Sequence, residues 1–340
     1  MTWSSNPGAY GATDPLFLLL AALALEAYLG GPWIAKRRYL QPNLPLTNLI
    51  TKLERRLNRS DRGGLDLLLR GAFVAVVLSL AAFFCGLVLE WLLVNYPFAW
   101  VFEVFLLALI VGQRTPCLQA SEVSTALVGG SVIAAQEALR PLVVGRITPD
   151  VLGQLDHRGI AAAAIDGLAR AFAVRVVAPV FWFVLLGLPG VFLQQAIRTA
   201  AAFLSARQLQ NRPAGRDPLQ GHEAAGRADF AATALRLDTA LSILPMLLAD
   251  IVLILAAVFI PGCSPREAIR RAWESRGSLA ATMGGVLGLE SQAAQGGLGS
   301  AGVPLDQRHI ERSVAVFAVG CLINAGFVAA LAWTRAIAID

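Results

Sequence analysis

The sequence predicts an all-α fold: a polytopic helical membrane protein with about four to six transmembrane helices. Three long apolar segments support this prediction, at residues 71–93, 239–260 and 313–334. A helix rises about 1.5 Å per residue, so each segment can cross a hydrocarbon core of about 30 Å. The chain is 56% hydrophobic and only 15% charged, whereas a soluble domain carries roughly 25% charge. We therefore expect a multi-pass protein of the cell (inner) membrane.

The N-terminal part begins with a polar stretch, residues 1–13, which we expect to be a disordered tail. The remainder, 14–340, is predicted to form a single integral membrane domain. Asp14 and Pro15 form the N-cap and first position of the first apolar helix. Residues 46–57 alternate leucines with basic residues at helical spacing, which predicts an amphipathic helix on the membrane surface.

The middle of the chain combines helical cytoplasmic segments with interrupted apolar ones. Residues 98–111 form a short third apolar helix. Residues 174–196 are apolar but contain prolines and glycines, which predicts either a re-entrant hairpin or a kinked span. Further on, Ser264 is predicted to cap a short helix, with Glu267 completing a capping box.

Charge and motif content exclude several functions. The loop between the first two apolar segments is rich in lysine and arginine, which indicates a cytoplasmic loop near anionic lipids and no nucleic-acid partner. No P-loop motif and no cysteine or histidine spacing typical of a metal site occur, so no metal ligands are assigned.

Four acids lie within apolar runs. Glu26 and Glu90 lie near span ends and are expected to reach the membrane interface. For the deeper Glu103 and Asp250, two alternatives stay open: an ion pair with an arginine such as Arg175, or part of a proton or cation path.

Six short motifs in order resemble those of the CobD/CbiB family of cobalamin-biosynthesis membrane proteins. Their order and spacing agree from about residue 16 to 333. The segments similar to the family's GDP, HPV, VGRDT, APLFW, ARLDD…YIP and MAGALG motifs are 30–32, 44–46, 144–148, 178–182, 235–245 and 283–288.

The resemblance implies an adenosylcobinamide-phosphate synthase, which joins aminopropanol or its phosphate to adenosylcobyric acid with consumption of ATP. It implies Mg²⁺ and ATP as cofactors, if that chemistry persists, and the lipid bilayer and a corrinoid intermediate as partners. Carried over position by position, it implies Asp166, Asp238 and Thr199 as catalytic residues. The substrate-binding residues implied in the same way are Arg146, Thr148 and Arg236.

The chain departs from the family pattern mainly at acidic positions. In the family's ExxxENxxD run only Asp166 keeps an acid, whereas Arg170 and Val174 replace two others. Ala201 and Thr239 also stand at positions where the family has aspartate. An arginine at a cation site inverts the local charge, so Mg²⁺ affinity is expected to fall there.

Two alternative functions stay open. The loss of acids favours a non-catalytic membrane scaffold or AmpE-like signalling protein, whereas Glu103, Asp250 and the interrupted segment 174–196 would suit a transport subunit. Structural roles also remain open for four of the site residues. Thr148 and Asp238 would be helix N-caps, whereas Arg146 and Arg236 would be interfacial anchors.

Overall fold

The structure, a computed structural model, describes residues 14–30, 64–96, 98–210, 218–275, 278–289 and 307–339. Twelve α-helices follow one another in this part of the chain. They are α1 Pro15–Leu29, α2 Gly64–Asn95, α3 Ala99–Ile110, α4 Arg114–Val128, α5 Val132–Leu139, α6 Pro149–Gly153, α7 His157–Phe172, α8 Ala178–Gln210, α9 Pro218–Phe259, α10 Pro265–Glu274, α11 Leu279–Val286 and α12 Gln307–Ile339.

The described segments contain no strand, and five helical stretches are long and apolar enough to cross a membrane. The predicted fold class is thereby confirmed: the protein is an all-α, multi-pass membrane protein. The stretches are Leu69–Leu93, Ala99–Val128, His157–Ala206, Ala232–Phe259 and Gln307–Ala338. The predicted tail 1–13 and the amphipathic helix 46–57 lie outside the described residues.

Helix starts follow the predicted caps with one correction. The Asp14 carboxylate accepts the Leu16 N–H at 3.0 Å, which confirms it as the N-cap of α1. Ser264 caps α10 by accepting the Glu267 N–H at 3.4 Å. A capping box would also require the Glu267 carboxylate to accept the Ser264 N–H. That part of the prediction is wrong, because the Ser264 N–H donates to the Val286 carbonyl at 2.9 Å. The Glu267 carboxylate instead pairs with arginines on its own helix.

Residues 174–196 form a helical hairpin that reverses at Gly187. The Arg198 Nη1 donates to the Val174 carbonyl at 2.6 Å. In a straight helix those residues would lie about 36 Å apart, far beyond the reach of an arginine. Gly187 has φ 69° and ψ −153°, a conformation that glycine adopts readily and other residues do not. The arms on either side of Gly187 therefore run antiparallel, and the prediction of an interrupted helix is confirmed in its hairpin form.

Close packing holds the tip of this hairpin against α2. A side chain on Gly86 of α2 would meet the backbone of Pro189 at 2.5 Å, so only a glycine permits this approach. Trp182 on the first arm donates its indole N–H to the Leu241 carbonyl of α9 at 3.3 Å. A π-helical turn, Ala173–Val177, connects α7 to the first arm. The hairpin is thus held between α2 and α9.

Two large apolar cores in the described part of the chain include residues of the hairpin. The larger core surrounds α7 and includes the edge-to-face contact of Phe172 with Phe317, whose ring centroids are 5.3 Å apart. The smaller core packs α1 and α3 against the hairpin, around Leu19, Leu107 and Val191. Together these cores fix the hairpin and α7 in place, which positions the charged residues at the hairpin base.

Candidate functional site

Charged residues from four parts of the chain meet at the base of the hairpin. The helix α7 supplies Asp166 and Arg170, which are one turn apart and so share a face. Arg198 lies on the returning arm, Asp238 on α9, and Arg146 in the segment before α6. We call this set, together with the neighbouring Arg175, the arginine cluster; its members are Arg146, Asp166, Arg170, Arg175, Arg198 and Asp238.

One edge of the arginine cluster is a direct ion pair. The Arg146 Nη1 lies 2.5 Å from the Asp166 Oδ2. The Arg146 side chain is 40% exposed and that of Asp166 is 29% exposed, so solvent or a ligand can reach this edge. A partly exposed pair contributes little to stability, on the order of 1 kcal/mol or less. Its main effect is to fix the position of the Asp166 carboxylate.

The inner part of the cluster contains Arg170, which lacks a full set of partners, and Arg198. Arg170 interacts electrostatically with Asp166, Asp238 and Arg146, yet its Nε is buried and has no hydrogen-bond partner. Arg198 interacts with Asp238 and donates to the carbonyl of Val174, which is part of the π-helical turn. Such turns recur at functional sites because they disturb the regular carbonyl ladder.

The structure brings together three of the six residues that the resemblance implied, namely Arg146, Asp166 and Asp238. Thr199 is next to Arg198 and buried, and its hydroxyl has no hydrogen-bond partner. Thr148 accepts the Val151 N–H at 3.4 Å, so its predicted role as an N-cap is confirmed.

The two remaining expectations concern α9. Arg236 is exposed and lies two residues before Asp238, a spacing that places the two side chains on different faces of the helix. The N-cap role predicted for Asp238 is wrong. The helix begins at Pro218, and Asp238 lies well inside it because the polar residues before it extend the helix.

Sequence reasoning does not select three members of the cluster as site residues: Arg170, Arg175 and Arg198. Arg170 stands out only as the replacement of a family acid, although each of the three is an arginine beside or inside an apolar segment. That position is itself a signal, because charged residues within membrane helices are costly and usually functional. The location of Arg170 and Arg198 beside Asp238 depends on the hairpin, which the sequence predicts only as one of two alternatives.

The donor set of the arginine cluster does not fit a protein-held Mg²⁺. Magnesium takes oxygen ligands, chiefly carboxylates and water, in an octahedral arrangement. The cluster has four arginines against two aspartates, and one of those aspartates is paired with Arg146. Within the described ranges, no group of three or more histidines, cysteines and acids could hold a metal ion.

The other buried acids lie away from this cluster. Glu26 is only 3% exposed, and its carboxylate accepts the Arg114 N–H at 3.1 Å. The carboxylate of Glu26 is therefore held inside the protein, between α1 and the start of α4. Glu103 and Asp250 are 3% and 5% exposed. Among the described residues no ion pair joins either of them to Arg175.

These features define a class: multi-pass helical membrane proteins with a charged site at the base of a helical hairpin. Comparison with known proteins identifies the particular family. The chain belongs to the CobD/Cbib protein family, whose model matches residues 19–316.

Curated relatives agree with this assignment. The chain is 30% identical over 258 residues to a cobalamin biosynthesis protein CobD from Brucella suis biovar 1 (strain 1330), covering 76% of this chain and 72% of the relative. It is 27% identical over 338 residues to a protein of the same description from Sinorhizobium sp, covering 93% and 98%. No solved structure matches.

Proposed function

We propose that this protein acts in cobalamin biosynthesis in the cell inner membrane, where it joins aminopropanol or its phosphate to a carboxylate of adenosylcobyric acid. The observation that supports this proposal is the convergence of Arg146, Asp166 and Asp238 at one place. These residues are far apart in the sequence and correspond to family motifs. Residues with no shared task would not be expected to meet at the base of one hairpin.

The chemistry of the arginine cluster suits an amide ligation. Guanidinium groups hold carboxylate and phosphate oxygens by paired hydrogen bonds, a role that Arg170 and Arg198 can fill. An aspartate can accept a proton from an attacking amine, and Asp238 lies beside both arginines. Amide formation also requires activation of the carboxylate, which ATP would supply as co-substrate. Any Mg²⁺ would then arrive bound to the nucleotide.

A mass-spectrometric assay on the detergent-purified protein tests this function. The reaction contains adenosylcobyric acid, aminopropanol phosphate, ATP and Mg²⁺, and a conventional family enzyme serves as the positive control. We expect product of the mass of the amide, lost in Asp166→Asn and retained in Asp150→Asn. Asp150 is a suitable control because it is exposed and lies outside the cluster. Absence of product with an active control enzyme contradicts the proposal.

The same assay addresses the two alternatives. A corrinoid that binds without being converted supports the membrane scaffold. The transport alternative has one specific observation in its favour: both carboxylate oxygens of the buried Asp250 have no hydrogen-bond partner. If the protein is a transport subunit, Asp250→Asn abolishes flux in proteoliposomes while the protein remains folded. Unchanged flux excludes Asp250 from a path.

A further inference from the structure

We infer that the arginine cluster binds an oxyanion, a phosphate or carboxylate group, directly through its guanidinium groups and without a divalent cation held by the protein. This inference rests on the proposed function in that it names the recognition chemistry of the same site. It deepens that function because it commits the site to binding the free anion in the absence of any metal or nucleotide, with Arg170 as the residue that lacks a partner until the anion is bound.

The first argument is the charge of the site. Four arginines, Arg146, Arg170, Arg175 and Arg198, stand against Asp166 and Asp238. Half-buried charges at the end of membrane helices are costly unless an opposite charge compensates them. The two aspartates compensate only half of the positive charge, so an anionic ligand would supply the remainder.

The second argument is the distribution of hydrogen bonds. Arg146 is paired with the Asp166 carboxylate, and one N–H group of Arg198 donates to the Val174 carbonyl. By contrast, the Arg170 Nε is buried and unpartnered. Buried polar groups nearly always have partners, and those without one need a particular explanation. A bound oxyanion next to Arg170 would provide that partner.

Phosphate binding in the presence of EDTA tests the inference. Equilibrium dialysis of radiolabelled inorganic phosphate against the protein in uncharged detergent measures affinity, and acetate competes as the carboxylate probe. We expect binding that EDTA leaves unchanged, weakened about tenfold or more in Arg170→Gln because one bidentate donor is lost. Arg158→Gln is the matched control, since Arg158 is an exposed arginine on the same helix and should have no effect.

A charge reversal sharpens the test. Arg170→Glu would add a third carboxylate to the cluster, beside those of Asp166 and Asp238. Phosphate binding should disappear and Mn²⁺ binding, followed by its electron paramagnetic resonance signal, should appear. Arg170→Lys keeps the charge without the planar fork and should bind phosphate a few fold more weakly than the wild type. That variant keeps the test valid if Arg170→Gln fails to fold.

Several outcomes would overturn the inference: no phosphate or acetate binding, binding that EDTA abolishes, or equal binding by wild type and Arg170→Gln. Vesicles of phosphatidylglycerol identify the source of the anion. If they displace phosphate, the site is an oxyanion site used by a lipid headgroup. If they do not, the site takes a soluble anion, as substrate recognition requires.

The failure of this inference differs from the failure of the proposed function. If the protein binds phosphate without a metal but forms no amide product, the oxyanion site is supported and the proposed ligation is contradicted. If the wild type forms the amide product and Arg170→Gln is equally active, the proposed ligation is supported and the oxyanion site is contradicted.

Discussion

Asp238 and Asp250 lie on the same helix, α9, twelve residues or about 18 Å apart, in opposite electrostatic surroundings. Asp238 faces Arg198 and Arg170. Asp250 is 5% exposed among apolar residues of the larger core, and neither of its carboxylate oxygens has a hydrogen-bond partner. Thr282 lies beside it, but the Thr282 hydroxyl donates to the Ser278 carbonyl at 3.3 Å.

The difference shows that an acid inside an apolar helix does not by itself mark a functional site. What distinguishes Asp238 is the set of cations that other elements bring to it. The hairpin places Arg198 beside Asp238, and α7 places Arg170 there. In the described part of the chain, no arginine is placed beside Asp250 in this way. The position of charge in the fold, and not its presence in the sequence, therefore separates the candidate site from an isolated buried polar group.

The largest expected effect is on activity at Asp238. If Asp238 accepts the proton of the attacking amine, Asp238→Asn should lower amide formation about 100-fold or more. Asp250→Asn, the same change on the same helix, should leave the rate within about twofold, because no reacting group is placed there. Product formation by mass spectrometry measures both. Equal losses in the two variants would remove the distinction between the two acids.

The second expected effect is on stability, and it concerns the hairpin that brings Arg198 to Asp238. Gly187→Ala should reduce the free energy of unfolding by about 2–3 kcal/mol, because alanine does not readily adopt its φ and ψ. Gly153→Ala is the control: a Cβ at Gly153 meets open space. Thermal unfolding in detergent measures both variants. Equal unfolding midpoints for the two would show that Gly187 is not required for the reversal.

A third and smaller effect concerns Asp250. Asp250→Val replaces an unsatisfied buried carboxyl with an apolar side chain of comparable size, so the free energy of unfolding should rise by about 1–2 kcal/mol. Removing Asp238 should give no such gain, since it leaves Arg170 and Arg198 uncompensated. Chemical denaturation in mixed micelles measures the change. A loss of stability in Asp250→Val would mean that the carboxyl has a favourable role.

The smallest effect comes from a third acid, Glu267, which lies outside the membrane-spanning segments. The hydrogen bond from Arg270, with that from Arg271, holds the pKa of Glu267 below its usual value of 4.5. A lowered folded-state pKa stabilises the protein above the unfolded value, and this stability is lost as pH falls below about 4.5 through the folded pKa. Glu267→Gln should therefore flatten the fall of the unfolding midpoint in that range. An unchanged pH profile would show that the pair contributes nothing.

Much of the fold was predictable because it follows from local rules. Long apolar runs predict helices of membrane length, and the caps at Asp14 and Ser264 follow from side chains that accept backbone N–H groups. The start of α9 was not predictable in this way. Its polar N-terminal half has no apolar stripe, and Asp238 resembles a cap because it precedes the apolar run.

The site was predictable only in part, for a physical reason. Asp166 and Asp238 could be selected from motifs, but their neighbours depend on where the hairpin turns. A straight helix would carry Arg198 about 36 Å from Val174. The reversal at Gly187 is accompanied by close packing of Gly86 against Pro189, a contact between elements about 100 residues apart that local sequence rules do not predict. In the sequence alone, Arg170 therefore looks only like the loss of a family acid, because the charged residues around it are not apparent there.

The reversal at Gly187 also bears on how the chain enters the membrane during synthesis. Arg175 and Arg198 stand near the two ends of the hairpin, and both ends lie at one level. An arginine placed at the bilayer centre costs about 2.5–3.5 kcal/mol on insertion scales. If the hairpin enters the bilayer tip first, its apolar arms insert as a loop and both arginines remain on the side where the chain was synthesised. Insertion of this kind would require neither charge to cross the bilayer.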